Sequence, residues 1–316
     1  MESNKVVSFF KNRKSLLILF AIVTIAAVSS PRFLTVPNIQ NLFLQVAIQG
    51  IVGFGMTFCL IAGEFDMSVG SVLTLAGIAF AKLIPSIGVF PAAILALALG
   101  ALAGLINGTL IASLGLSSFI GTLGTMYTFK GIALMMSNGE PTRVSDPAVI
   151  ALSQFKIAGF TVFPFIFILV GLICGYILMR TRFGRNIYAT GGNMEAAKNS
   201  GINTTFYKIM SFVIVCVSAA FAGILLTARL QSATPIAGDE LNLVVVSSII
   251  IGGTSPAGGI GSIQKSFVGL LIMGIVSNGL DLVGISGYYQ QVVQGFMTVA
   301  IIGAASFANY RKVNAL

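Results

Sequence analysis

Two acids, Glu64 and Asp66, stand in the segment Gly63-Glu64-Phe65-Asp66-Met67-Ser68-Val69-Gly70-Ser71, between two long apolar blocks. Carboxyl groups near membrane depth are costly and rarely idle. One reading makes them a solvated turn, with Asp66 capping a helix that begins near Ser68, where acceptors and negative charge suit free backbone N–H groups. The other makes Glu64, Asp66 and Ser68 part of a gate or pathway. Lys130 is the one basic residue well inside an apolar block. It either snorkels to an interface or pairs with an acid in that pathway. Asn107, Thr122, Thr125, Asn242 and Asn278 are polar residues within apolar blocks. Such residues bond between membrane helices or line a path for a hydroxyl-rich solute, to which Phe54 and Tyr127 add aromatic faces.

A second group lies outside the apolar blocks, in Asn193-Met194-Glu195-Ala196-Ala197-Lys198-Asn199-Ser200-Gly201. Asn193 can cap a short helix and Glu195 sits in its first turn, where negative charge suits the dipole. Gly201 can end it in a left-handed cap. Isolated helices shorter than ~12 residues are marginal in water, so this one leans on another surface, and its small face of Ala196 and Ala197 suits close docking. A third segment, residues 252–262, has five glycines among its eleven residues and reads as a tight turn between two helices.

What is missing narrows the chemistry. Histidine, a frequent acid–base catalyst and metal ligand, is absent. No Gly-Lys dipeptide occurs, so the chain carries no Walker A phosphate loop. Cys59, Cys174 and Cys216 are odd in number, lie within apolar blocks and supply no disulfide framework. The net charge of +9 fits Lys and Arg that orient membrane loops, rather than a basic nucleic-acid face.

These residues must be positioned by membrane helices. The chain is 56% hydrophobic and 9% charged over 316 residues, with a mean hydropathy of +0.97, unlike a soluble domain. A membrane helix needs ~20 mostly apolar residues, and the sequence predicts helices over 16–30, 40–62, 68–84, 89–113, 117–137, 162–180, 206–228, 241–253, 263–282 and 288–308. The block 241–253 is too short for a full span, so it begins earlier or belongs to a broken helix. No cleavable signal peptide is read at the N-terminus. The expected fold is all-α: a polytopic membrane protein of about ten transmembrane helices, one domain over residues 1–316, with an N-terminal tail at 1–15 and a loop at 181–205.

Ten crossings with both termini inside put twelve basic residues on the inner side, among them Arg180, Arg182, Arg185, Lys198 and Lys208, and six elsewhere. That bias supports cytoplasmic termini. Ile61-Ala62-Gly63-Glu64 recurs as Ile236-Ala237-Gly238-Asp239 at an offset of 175, which suggests an inverted repeat. Gly100, Gly104 and Gly108 share one helix face, and Gly171 and Gly175 repeat the spacing, which predicts close helix packing.

The pattern Glu195-Ala196-Ala197-x-x-x-Gly201 resembles the coupling-helix signature of ATP-binding-cassette importer permeases. An Ile-x-Leu-Pro element that often follows in such importers is absent. The Gly63–Ser71 loop, the Arg185–Gly201 loop, the Gly252–Gly261 loop and Tyr288-Tyr289-Gln290 resemble the ribose/xylose/autoinducer-2 branch of those permeases. The resemblance spans residues 35–308. It implies a bacterial cytoplasmic-membrane subunit working beside a second permease copy or paralogue. Two ATP-binding subunits, or one fused tandem ATPase, would bind ATP and magnesium inside, and an extracytoplasmic solute-binding protein would deliver a small solute from outside. Asn193, Glu195, Ala196, Ala197 and Gly201 would couple to the ATPase; the chain itself would hold no cofactor. Its other partners would be membrane lipid and no nucleic acid. The implied cargo is a small neutral solute such as a monosaccharide, with a branched-chain amino acid, a nucleoside or autoinducer-2 as alternatives. An ion-coupled transporter or channel is the competing class, and it would need Lys130 with Glu64 or Asp66; a membrane enzyme is disfavoured by the missing histidine.

Overall fold

In lipid the backbone must satisfy its own N–H and C=O groups, which makes helices the expected solution for so apolar a chain. The computed structural model, which describes residues 14–313, is mostly helical. Every predicted apolar block forms a helix, with ends displaced by a few residues. In chain order they begin with α1 (Lys14–Ser29), α2 (Val36–Ile61), α3 (Val69–Ile87), α4 (Val89–Ala112) and α5 (Ser118–Ser137). Between α5 and α7 (Val162–Arg180) lies a short α6 (Pro147–Gln154). Then come α8 (Arg182–Gly192), α9 (Met194–Asn199), α10 (Thr204–Leu230), α11 (Leu241–Gly252), α12 (Ile263–Leu282) and α13 (Gly287–Val313). Among the described residues, helices α2, α3, α4, α7, α10 and α12 are the six long and apolar enough to cross a membrane; α1 and α11 are apolar but shorter.

Two expectations need amending. The region 181–205 holds the expected short helix, α9, and before it a second helix, α8, that the hydropathy pattern does not announce. The fold is not purely helical either. Thr142–Arg143 (β1) pairs with Ser232–Ala233 (β4), and Lys156–Ile157 (β2) with Phe160–Thr161 (β3), both antiparallel. These pairs lie where the chain leaves its apolar blocks and water can serve the unpaired edges. The tail 1–15 falls almost wholly outside the described residues.

Helix α10 is the centre of the bundle and packs on α2, α3 and α4. The glycine face of α4 makes that approach close. A Cβ on Gly100 would stand 2.5 Å from the Cβ of Ala220, one on Gly104 2.5 Å from Val213 Cα, and one on Gly108 2.7 Å from Ile209 Cα. Gly171 likewise admits the Phe54 ring, which stacks on Phe167 at 4.9 Å. Gly175 is looser; a Cβ there would only reach ordinary contact with Ile263, at 3.9 Å.

The short helix α11 begins no earlier than Leu241, because the preceding residues form β4 and turns that return the chain toward the bundle. There Gly70 and Gly238 meet backbone to backbone, with no room for a side chain on either. The Gly70 N–H donates to Asn242 Oδ1 at 2.7 Å, and the Gly238 N–H donates to Thr74 Oγ1 at 3.1 Å. Each glycine is thus capped by the polar residue four positions beyond the other.

Candidate functional site

The three segments that carried the resemblance meet at one end of the bundle. Two residues past the end of α2, Gly63 at φ +83° turns the chain along the 62–68 connection. Gly191, in the last turn of α8, lies against the carbonyl of Ile61 so closely that no side chain fits. The 252–262 turn closes the junction: Gly259 donates its N–H to Ile61 O at 2.9 Å. A Cβ on Gly258 would stand 2.6 Å from Gly191 O and 2.9 Å from Gly63 Cα, and one on Gly259 2.6 Å from Gly192 Cα. Tyr188 donates its hydroxyl to Gly261 O at 2.8 Å, and partial burial raises its pKa above the ordinary phenol value. Glycine density, which alone reads as turn-making, here lets three backbones touch.

Helix α9 hangs from this junction. Its cap is the one the sequence predicts: Asn193 Oδ1 accepts the Ala196 N–H at 3.0 Å, and Gly201 closes the far end at φ +80°. Of the two alanines only Ala197 is buried; Ala196 and Glu195 are exposed, with Met194 beside them. Arg182, Arg185 and Lys198 are exposed around it. Helix α9 therefore has one face seated on the protein, through Ala197, and another, carrying Glu195, that is exposed. Thr181 caps α8 through the Gly184 N–H at 3.2 Å, which fixes the angle at which the pair leaves α7.

The acids next to the junction find separate partners. Glu64 accepts from Lys208, in the second turn of α10, at 2.5 Å; their side chains are 9% and 19% exposed. This ties the α2–α3 connection to the helix that follows α9. Asp66 is fully buried. Its Oδ1 accepts from the Ser68 N–H at 2.7 Å and the Ser68 hydroxyl at 2.6 Å, and its Oδ2 from Asn107 Nδ2 at 3.2 Å and Cys216 Sγ at 3.3 Å. Asp66 does sit at the start of α3, but it reaches α4 and α10 as well. Asn107 also donates to Ser68 Oγ at 2.8 Å. Thr122 Oγ1 accepts the Met67 N–H at 2.9 Å and so pins the same connection to α5.

The remaining polar candidates are spread out. Lys130 does not meet Glu64 or Asp66; its Nζ donates to both oxygens of Asp239 at 2.7 Å. Of the two readings of Lys130, pairing with an acid is the one the geometry shows, and the acid is Asp239, to which the sequence gave weight only as part of the repeat. Asn242 caps Gly70, as described. Asn278 exchanges two hydrogen bonds of 2.9 Å with Asn38, joining α12 to α2. Thr125 bonds within its own helix, to Thr122 O at 3.2 Å. Phe54 is buried in its ring stack, and Tyr127 is exposed on α5. Lys208, the partner of Glu64, is counted in the sequence only among the inner basic residues, although its place just after the short capped helix was a signal available there.

The six apolar helices of spanning length among the described residues define a polytopic membrane protein, in which a buried polar connection joins the bundle to a short exposed helix. Comparison with known proteins makes this more definite. Residues 38–302 match the family model for the branched-chain amino acid transport system / permease component, and the chain belongs to that family. It is similar to the ribose import permease protein of Bacillus subtilis (strain 168), 40% identical over 290 residues, covering 90% of this chain and 89% of the relative. It is 38% identical over 306 residues to the L-arabinose transport system permease protein of Escherichia coli (strain K12), covering 94% and 90%. With the D-allose transport system permease protein of the same organism it shares 38% over 298 residues, covering 93% and 91%. No solved structure matches the chain.

Proposed function

We propose that this chain is the membrane-spanning permease of an ATP-driven importer that moves a monosaccharide inward across the bacterial cytoplasmic membrane. The observation that carries the reading is the junction of Gly63, Gly191 and Gly258 beneath α9, considered together with similarity to ribose, arabinose and allose permeases over nearly the whole chain. A force applied to α9 has a rigid backbone route into the α2–α3 connection and, through Glu64 and Lys208, into the central helix α10. Helix α9 is then the element on which a separate ATPase docks, with Asn193, Glu195, Ala196, Ala197 and Gly201 forming or shaping its surface. ATP and magnesium belong to that ATPase. ATP binding drives the cycle because the ATPase pair prefers one permease conformation over the other.

On this reading the α9 end is cytoplasmic, as are both termini, and all ten apolar helices lie within the membrane, α11 as a short partial span. The reciprocal capping of Gly70 and Gly238 supports an inverted repeat. Gly70 to Gly238 and Thr74 to Asn242 are both steps of 168 residues. The starts of α2 and α10, at Val36 and Thr204, differ by the same 168. That register replaces the 175 suggested by the Ile-Ala-Gly-acid match. A second copy or paralogue completes the pathway: Tyr127 and the unpacked glycines Gly124 and Gly131 leave α5 with an unpartnered face. Asp66, Ser68, Asn107 and Thr122 brace the connection that moves. A solute-binding protein delivers cargo at the end opposite α9.

The test is reconstitution of the permease with its ATPase and binding protein in liposomes. Labelled ribose, arabinose or allose should accumulate only with ATP inside the ATPase compartment and binding protein on the other face. Accumulation of a branched-chain amino acid with no sugar uptake would reassign the cargo within the family.

A further inference from the structure

Helix α10 has 27 residues, about 40 Å at 1.5 Å per residue. It starts beside α9, so its far end and the turn that follows lie across the membrane from the docking helix. In that turn a cavity of about 210 Å³ opens between Gln49 of α2, Ile236 and Glu240 before α11, Leu241 and Val244 within it, and Gln294 of α13. It is large enough to hold several waters or a small polar solute. Its polar groups are unusually free for a membrane bundle. Among the described residues no protein hydrogen bond engages the Gln49 amide, although such groups in spanning helices normally find a neighbour. Gln294 donates through Nε2 to Ser277 Oγ at 3.2 Å, which orients the amide and leaves its carbonyl oxygen as an open acceptor. Glu240 accepts from Gln291 with one oxygen, and the other is open.

We infer that this cavity is a sugar-contacting site on the entry side of the pathway, an inference that rests on the importer reading above. A neutral polyol offers several hydroxyl donors and acceptors and a C–H face. Glu240 is a strong acceptor for hydroxyl donors, the two amides donate and accept, and Ile236, Leu241 and Val244 give the ring an apolar floor. An anion is disfavoured, because the Lys130 ammonium is already held by Asp239 and, among the described residues, no cation pairs with Glu240. The position also suits transmission. Glu240 immediately precedes α11, and Gly238 and Asn242 lock that turn to the start of α3. A ligand that draws Gln49 and Gln294 toward Glu240 therefore acts on the same crossing that leads on to Asp66.

The experiment uses the complete complex in liposomes, with saturating loaded binding protein so that delivery is not limiting. Gln49→Ala and Gln294→Ala should each lower the maximal rate of labelled ribose, arabinose or allose uptake at least fivefold. Glu240→Gln should change the ranking among the three sugars. Yield in the membrane and co-purification of the ATPase report whether each variant is folded. As an independent readout, Gln49→Cys should react with a membrane-impermeant thiol reagent from the binding-protein side, and the transported sugar should slow that reaction. Wild-type uptake of sugar with all three variants matching it, or labelling indifferent to sugar, overturns the inference alone. A wild-type complex that moves no monosaccharide overturns the importer-of-sugar reading instead. Uptake of a cation that Glu240→Gln abolishes assigns the cavity to a different solute class and overturns the sugar assignment.

Discussion

Lys208 and Glu64 show how a single contact is read at the scale of residues. Both side chains are largely buried, so their charges are protected from water and salt. The net value of such a pair is small because desolvation opposes attraction, but removing one partner strands the other. Lys208→Met should therefore destabilise the protein by about 3 kcal/mol, measured as a loss of thermal stability in detergent. Lys208→Glu combined with Glu64→Lys should recover much of that loss. Equal stability of the single variant and wild type would show the pair to be idle. Asn193→Ala removes the α9 cap and costs about 1 kcal/mol locally. Its expected signature is weaker ATPase co-purification with unchanged membrane yield. Glu195→Lys, which reverses charge on the exposed side of the same helix, should abolish uptake outright while the permease still inserts.

Elements translate those contacts into geometry. The α4 ridge was legible in the sequence because glycines every four residues on one helix face have few other uses in a membrane. Gly104→Leu should lower yield and thermal stability, since a side chain there meets the α10 backbone rather than a yielding side chain. The Gly191 junction was legible only as three separate loops. Nothing in local pattern says that residues near 62, 191 and 258 are neighbours; that information lives in long-range packing. Gly191→Val is the informative variant. It collides with the carbonyl of Ile61 and should reduce transport far more than it reduces ATPase binding, because α9's outer face is untouched. A parallel loss of both would mean that the junction holds α9 in shape and transmits nothing. Helices α6 and α8 were missed because they are short and amphipathic or capped by Asp146 and Thr181, outside the hydropathy signal that found the others.

The whole molecule decides between a driven importer and an ion-coupled carrier. A carrier needs a site whose charge or occupancy changes as it alternates. The sequence offered Lys130 with Glu64 or Asp66 as the sole candidate, on residue type alone. The fold separates them: Glu64 is paired at the α9 end, Lys130 is paired with Asp239 toward the other end, and Asp66 takes four hydrogen bonds in between. Polar residue types were thus readable from sequence, but the long-range partners, Lys208 for Glu64 and Asp239 for Lys130, were not, because they lie more than a hundred residues away in the chain. With those acids engaged, Lys130 and Glu64 or Asp66 do not form the coupling site that the carrier reading needs, which favours the driven importer proposed above. The purified chain should accordingly hydrolyse no ATP. In liposomes holding the full complex, uptake should cease when ATP is withheld or the ATPase is left out, and it should persist when proton and sodium gradients are collapsed with ionophores. Uptake by the chain alone that follows an ion gradient would overturn the importer assignment.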